Sequence, residues 1–276
     1  SDFHTNFHSY SSHYGFGLLR RAIVAYLKKF HNKSAVTLVP TEGIRRELSG
    51  YGYENIEIIA RGVDTRLFHP DRRSAALRAQ WGVSEHDTVA LYVGRLAAEK
   101  NLELVFRAYD ALRAVEPGAK LVLVGDGPER AGWQAKRPDA IFRGTRVGEE
   151  LAAHYASGDV FLFPSLTETW GNVTIEAMAS GLAVVAYDCA AAEEVIRHGE
   201  NGLAAVVDDD ADFIELATTL AGRRELQRRL GRAAAARAAQ LSWDAIVDRF
   251  ESVLLRLALA QPVRADVPAG ALVEET

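Results

Sequence analysis

Five short, continuously apolar runs follow one another after residue 87, and they limit the fold more than any other feature of this 276-residue chain. They are "TVALYVG" (88–94), "AKLVLVGDG" (119–127), "AIFRG" (140–144), "VFLFP" (160–164) and "LAVVAY" (182–187), with helix-length segments between them. A strand that is apolar throughout is covered on both faces, and strands alternating with helices pair in parallel. The pattern predicts an α/β domain built on a parallel sheet. Such sheets bind ligands in the crevice beyond the carboxyl ends of their strands. The segments to search are therefore "GRLAAEKN", "GDGPER", "FRGTRVG" and "PSLTETWGN".

Upstream the pattern is similar but shorter. "LLRRAIVAYLKKFHN" has helical spacing with four cations, "SAVTLVP" (34–40) and "NIEIIA" (55–60) read as strands, and "TEGIRRELSGYG" reads as a helix capped by Thr41. "RGVDTRLFHPDRR" (61–73) has no period and reads as a linker. Helices are expected over 208–260, the last with Ser242 as its cap, and a mobile tail beyond. The opening "SDFHTNFHSY" reads like a strand entered midway, so an N-terminally incomplete protein is expected. The predicted division is a partial first domain with its linker (1–70), a second domain (71–245), a helix (246–262) and the tail (263–276).

Charge and composition exclude several classes. The net charge of −5 gives no basic excess for nucleic acid. The single cysteine, Cys189, allows no intramolecular disulfide and fits a reducing cytoplasm. No apolar run reaches the ~20 residues that span a bilayer.

Two segments invite chemistry. In "GRLAAEKN", Gly94 closes a strand and Arg95 and Lys100 follow at once, where two cations and exposed amides would hold a diphosphate. The competing reading is two solvated side chains, with Lys100 paired to Glu99. In "TETWGNVTIEAMASG" (167–181), Asn172 is the expected N-cap and Gly181 the expected stop of a helix of roughly nine residues. Glu176 lies inside that helix among small and apolar residues, so it needs either a protein partner or a polar ligand. Glu168 precedes the helix. Eight residues of mostly helical chain separate the two by ~10 Å or more, which suits separate duties along one ligand rather than acid and base on one bond. The competing reading is that Glu168 caps the helix and Glu176 pairs with an arginine. The glycines of "VGDGP" can make a tight turn without any phosphate role.

Taken in order, these segments resemble a known family. "ETWGNVTIEAMASG" is similar to the E-x7-E signature of retaining glycosyltransferases of the GT-B fold in glycosyltransferase family 4, and "GRLAAEKN" to that family's donor-diphosphate segment. "LVLVGDGP", "GENGL" and the linker "RGVDTRLFHP" resemble its mannosyltransferase and sulfoquinovosyltransferase branches over roughly residues 1–260. The resemblance implies two Rossmann-like domains, the first of them partial here, and transfer of a hexose from a nucleotide sugar to a lipid or glycan. GDP-mannose is the expected donor, a UDP-sugar the alternative, and a non-catalytic nucleotide-sugar-binding module the second alternative. It also implies a cytoplasmic enzyme, with possible contact to the inner membrane face through the basic helix near the N-terminus.

Residue by residue, the resemblance implies that Glu168 lies by the donor sugar. Thr169, Trp170, Gly171, Asn172 and Val173 approach the sugar and diphosphate, and Glu176 accepts hydrogen bonds from the ribose. It places Gly94, Arg95 and Lys100 on the diphosphate, Thr145 at the base, and His4 on the sugar from the other domain. No metal or other cofactor is expected, the cations taking up the leaving-group charge. The family's "GGxxE" stands here as "AAAEE" (190–194), keeping Glu194 and replacing glycine by Ala190 and Ala191. Close backbone approach there is expected to need negative φ. A complementing N-terminal segment or self-association is expected to cover the first domain's exposed strands.

Overall fold

The computed structural model describes residues 1–3, 20–166, 168 and 170–260, so the expectations for His4, Thr169 and the tail lie outside the described residues. Helix α1 (Arg20–His31) leads to a small parallel sheet, β1 (Thr37–Val39) and β2 (Ile56–Ile58), joined by α2 (Glu42–Gly50). Thr41 caps α2 as expected, its hydroxyl accepting from the Ile44 amide at 3.2 Å. The opening residues are strand-like: Asp2 bridges Leu38, and the Phe3 amide donates to Leu38 at 2.9 Å. Phe3, Val39, Ile44, Leu48 and Tyr53 form a small core of their own.

The linker carries one 3-10 turn (Pro70–Arg72), and Val63 bridges to Ser242. After α3 (Ala75–Gln80) the six-stranded sheet begins. Its strands are β3 (Val89–Val93), β4 (Lys120–Val124), β5 (Ile141–Gly144), β6 (Val160–Phe163), β7 (Ala183–Tyr187) and β8 (Leu203–Ala205). Helices α4 (Leu102–Val115), α5 (Arg130–Lys136), α6 (Gly148–Ser157), α7 (Asn172–Ala179) and α8 (Ala191–Val195) connect them in turn. Then α9 (Asp210–Thr219), α10 (Arg224–Ala238) and α11 (Trp243–Ala260) complete the described chain. Asp209 caps α9, and Ser242 accepts from Ala245 at 3.4 Å at the start of α11.

All six strands are parallel, in the order β5-β4-β3-β6-β7-β8. Every residue of β3, β6 and β7 is buried, as continuous apolar runs require. This is the α/β, Rossmann-like architecture expected of the GT-B fold. The chain works outward through β4 and β5, then returns to place β6 on the other side of β3. That reversal opens a crevice at the carboxyl ends of β3 and β6. Strand β8, three residues long, is the element of this sheet that the apolar pattern did not mark.

Candidate functional site

Lys100 and Glu168 meet at this reversal. Lys100 ends a 3-10 turn after β3, and Glu168 lies in the loop after β6. The Lys100 ammonium donates to Glu168 Oε1, and Ser165 Oγ donates to the same oxygen at 2.9 Å. Lys100 also reaches Ser165 Oγ at 3.4 Å. The pair is mostly shielded, with side chains 16% and 19% exposed. The competing reading, a Lys100–Glu99 pair, is not what forms: Glu99 faces Arg95 at 3.8 Å instead, on the surface. The physical reason is burial, since a half-shielded ammonium gains more from a close carboxylate than from a solvated one. Glu168 is likewise not the cap of α7.

The glycines of "VGDGP" brace the Arg95 loop. Gly94 donates to Val124 at 3.0 Å, Leu96 to Asp126 at 2.9 Å, and Glu129 to Leu96 at 3.0 Å. A Cβ on Gly125 would fall 1.9 Å from the Gly94 oxygen. Two loops thus pack backbone against backbone, which only glycine permits. Tyr92 adds a brace from below, its hydroxyl donating to the Arg95 carbonyl at 3.0 Å.

The cap of α7 lies one residue earlier than expected. Gly171, at φ 86, is the N-cap and Asn172 the first helical residue, with no side-chain cap bond. A left-handed residue is needed to turn the loop into the helix, and glycine meets that need where asparagine would not be required. The first amides of α7 are left without a side-chain acceptor, a setting that favours an anion. Gly181, at φ 81, does follow the helix end.

Glu176 has a protein partner, but not an arginine. The Tyr155 hydroxyl of α6 donates to its Oε2 at 2.9 Å. Burial raises the Glu176 carboxyl above its ordinary range, and the Tyr155 hydrogen bond opposes that only in part. One carboxylate oxygen accepts from Tyr155, and a ligand hydroxyl is the kind of group that would suit the other.

The remaining expected residues are placed unequally. Asn172 and Thr145 are exposed, and Val173 packs against the main core. The Trp170 ring is buried at 3% exposure with its indole N–H unpartnered among the described residues, so its side chain fills the core rather than lining an open crevice. Ala190 has φ 51 and ψ −128, which corrects the expectation of negative φ. The amides on either side explain it: Cys189 donates to Tyr187 and Ala191 to Trp170, each at 2.8 Å, and the chain must turn between them. Glu194 accepts from the Glu42 amide at the start of α2, and Glu193 pairs with Arg46. These two carboxylates tie α8 to the first sheet's helix.

Sequence reasoning passed over Tyr155, Ser165 and the setting of Cys189. Ser165 was findable, lying three residues before Glu168 at the end of a strand. Burial, aided by the Glu168 and Asp188 carboxylates, pushes the Cys189 thiol up to about 11, so it stays protonated. Among the described residues, no group of three His, Cys, Asp or Glu is placed to hold a metal ion, and no helix is long and apolar enough to cross a membrane. The crevice thus offers two cations and unfilled helix amides for an anion, with carboxylates to either side for hydroxyl groups.

Residues 87–222 match the family described as "Glycosyl transferases group 1", and residues 2–67 match "Glycosyltransferase Family 4". The chain is 38% identical over 213 residues to the GDP-mannose-dependent alpha-mannosyltransferase of Corynebacterium glutamicum, covering 77% of this chain and 50% of that protein. It is 33% identical over 259 residues to the protein of the same description from Mycolicibacterium smegmatis, covering 93% and 68%. Sulfoquinovosyl transferase SQD2 of Arabidopsis thaliana is 32% identical over 259 residues, covering 91% and 50%. The chain therefore spans half to about two-thirds of the length of these relatives. Among solved structures, sucrose-phosphate synthase from Thermosynechococcus elongatus superposes with a TM-score of 0.75 at 23% identity, covering 87% of this chain and 63% of that one, a likeness of fold.

Proposed function

Since the chain belongs to the group 1, family 4 glycosyltransferases, we propose that it transfers a hexose from a nucleotide diphosphate sugar, with retention of anomeric configuration, to a lipid or glycan acceptor. The donor we propose is GDP-mannose, on the strength of the two mannosyltransferase relatives. The observation that carries the reading is the Lys100–Glu168 pair at the sheet reversal, with Arg95 beside it and Glu176 on the next helix.

The chemistry follows from charge. Breaking the anomeric C–O bond leaves negative charge on the nucleotide diphosphate, and cations already in place stabilise that charge more in the transition state than in the substrate. Arg95 is the exposed cation, its side chain 66% exposed and 3.8 Å from Glu99. Lys100 is the anchored one. A diphosphate arriving at the α7 amides would compete with Glu168 for the Lys100 ammonium, which frees the carboxylate to accept from sugar hydroxyls. Glu176 would accept from the ribose diol. In this reading the cations take the role that a metal ion has in other transferases, and His4 approaches the sugar from the first domain. Thr145 and the backbone of 169–173 complete the donor contacts. Peripheral membrane contact would use α1, which exposes Tyr26 and Phe30 beside Lys29.

The plant sulfoquinovosyl relative favours a second reading, a glycolipid enzyme with a UDP-sugar donor. Calorimetric titration with GDP-mannose, GDP, UDP-glucose and UDP separates the two. Preference for the GDP ligands supports the first reading, preference for UDP ligands the second, and binding of neither overturns both. Turnover assayed with mannose-labelled donor then distinguishes an enzyme from a binding module.

A further inference from the structure

At the opposite end of the six-stranded sheet, where strands begin, a cavity of about 290 Å3 opens between the linker, α7 and α10. Its wall includes Arg73, Glu85, Ser180, Gly181, Arg224 and Arg228. Asp159, just before β6, is the hub of the charges around it. Its carboxylate accepts from Arg73 and Arg78, each at 3.0 Å, and from the Val89 amide at 2.8 Å, and it pairs with Arg224 at 3.3 Å. Glu85 pairs with Arg73 at 3.1 Å and lies 3.7 Å from Arg78. Arg228 is exposed and has no hydrogen-bond or ion-pair partner among the described residues. On the wall itself three guanidiniums, Arg73, Arg224 and Arg228, face the two carboxylates of Glu85 and Asp159, so one positive charge is left over.

A second observation points the same way. Ser180 is 3% exposed, and its hydroxyl has no partner among the described residues. Buried hydroxyls are nearly always bonded, so an unpaired one on a cavity wall implies a partner not supplied by the chain itself. The wall is also stiff. A Cβ on Gly231 would lie 2.0 Å from the Gly181 oxygen, so α10 is seated directly on the turn that ends α7. Arg228, one helical turn before Gly231, projects from the same face of α10. The helix poles oppose each other here: α7 ends in carbonyls, while α10 begins with amides that no side chain caps. The arginine surplus decides the sign.

We infer that this cavity binds a phosphate group, either free inorganic phosphate or the phosphate of a small phosphorylated metabolite, through Arg228, Arg224 and the Ser180 hydroxyl. Guanidinium forks match phosphate oxygens, and the surplus positive charge on the wall favours an anion. The volume is at the small end of ligand pockets, which start at ~300 Å3, and suits one small molecule. The site shares no residue with the crevice at the other end of the sheet and does not depend on the proposed transfer reaction.

The test is calorimetric titration of the full chain at fixed ionic strength with inorganic phosphate and, separately, with a hexose 6-phosphate. Arg228→Gln, Ser180→Ala and Lys100→Ala are measured beside the unaltered chain. Arg228 is exposed and unpaired, so its replacement should leave the melting temperature unchanged. Saturable binding is expected that weakens at least tenfold in Arg228→Gln and severalfold in Ser180→Ala, and persists in Lys100→Ala. Tighter binding of the hexose phosphate, lost in the same variants, assigns the metabolite as source. Equal or weaker binding assigns free phosphate. No saturable binding at millimolar phosphate, binding unchanged in Arg228→Gln, or binding lost only in Lys100→Ala would overturn the inference.

Discussion

Lys100 and Glu168 stand 68 residues apart in the chain, yet the ammonium of one donates to the carboxylate of the other across the line where the sheet reverses. Each satisfies the other's desolvated charge. On the proposed reading a diphosphate would replace Glu168 as the partner of Lys100, and a sugar hydroxyl would replace Lys100 as the partner of Glu168.

Arg95→Ala and Lys100→Ala should both weaken nucleotide diphosphate binding, by about 1.5–3 kcal/mol as for hydrogen bonds to charged groups. They should differ in stability. Arg95 is exposed, so its loss should leave the melting temperature unchanged, whereas Lys100→Ala strands the shielded Glu168 and should lower it. Calorimetry with diphosphate and with nucleoside checks the first point. Equal loss for both ligands would mean that the cations do not hold the diphosphate.

Glu176→Gln should weaken ribonucleotide binding far more than binding of 2′,3′-dideoxy counterparts. The glutamine oxygen can still accept from Tyr155, so the helix should persist.

The same substitution carries a pH signature. The folded-state pKa of Glu176 is raised by burial, so its contribution to stability is fully present below the unfolded carboxylate range and is lost as pH rises through the folded value. At neutral pH the buried charge therefore costs stability. Glu176→Gln should raise the melting temperature of the free protein at pH 7.5, and the gain should vanish below the ordinary glutamate range. A gain that does not change with pH would assign the effect to packing.

Ala190→Gly should stabilise the fold by about 1 kcal/mol, since a non-glycine residue at positive φ stores strain of that order. Ala190 is at φ 51, and its neighbours' hydrogen bonds prevent relaxation. Urea unfolding at fixed pH reads the change as a shift in midpoint with unaltered slope.

Gly125→Ala should destabilise by about 3 kcal/mol, the upper range for forcing extra atoms into a packed site. The added Cβ would meet the Gly94 oxygen at 1.9 Å. Because the displaced loop carries Arg95, diphosphate affinity should fall in parallel with stability. Lost stability with intact affinity would show that the loop is not what positions Arg95.

Much of this was legible in the chain itself. Continuous apolar runs such as "VALYV" and "AVVAY" predict strands buried on both faces, because a pleated strand shows alternate side chains to opposite sides. Thr41 and Ser242 mark helix starts because capping is a contact between residues three apart. The order of "GRLAAEKN" and the Glu168–Glu176 segment led to the family. Tertiary structure alone decided the partners. Alternating strands and helices are compatible with several strand orders, and the order β5-β4-β3-β6-β7-β8 is one that brings the ends of β3 and β6 together. That order gives Lys100 to Glu168 rather than to its neighbour Glu99, and it sets α6 where Tyr155 reaches Glu176. It holds Ala190 at positive φ through bonds on both sides, and it gathers Arg73, Arg78 and Arg224 around Asp159. Local sequence carries contacts within a turn or two of backbone; those that cross the sheet depend on which strands are neighbours, and that is settled by packing of the whole domain.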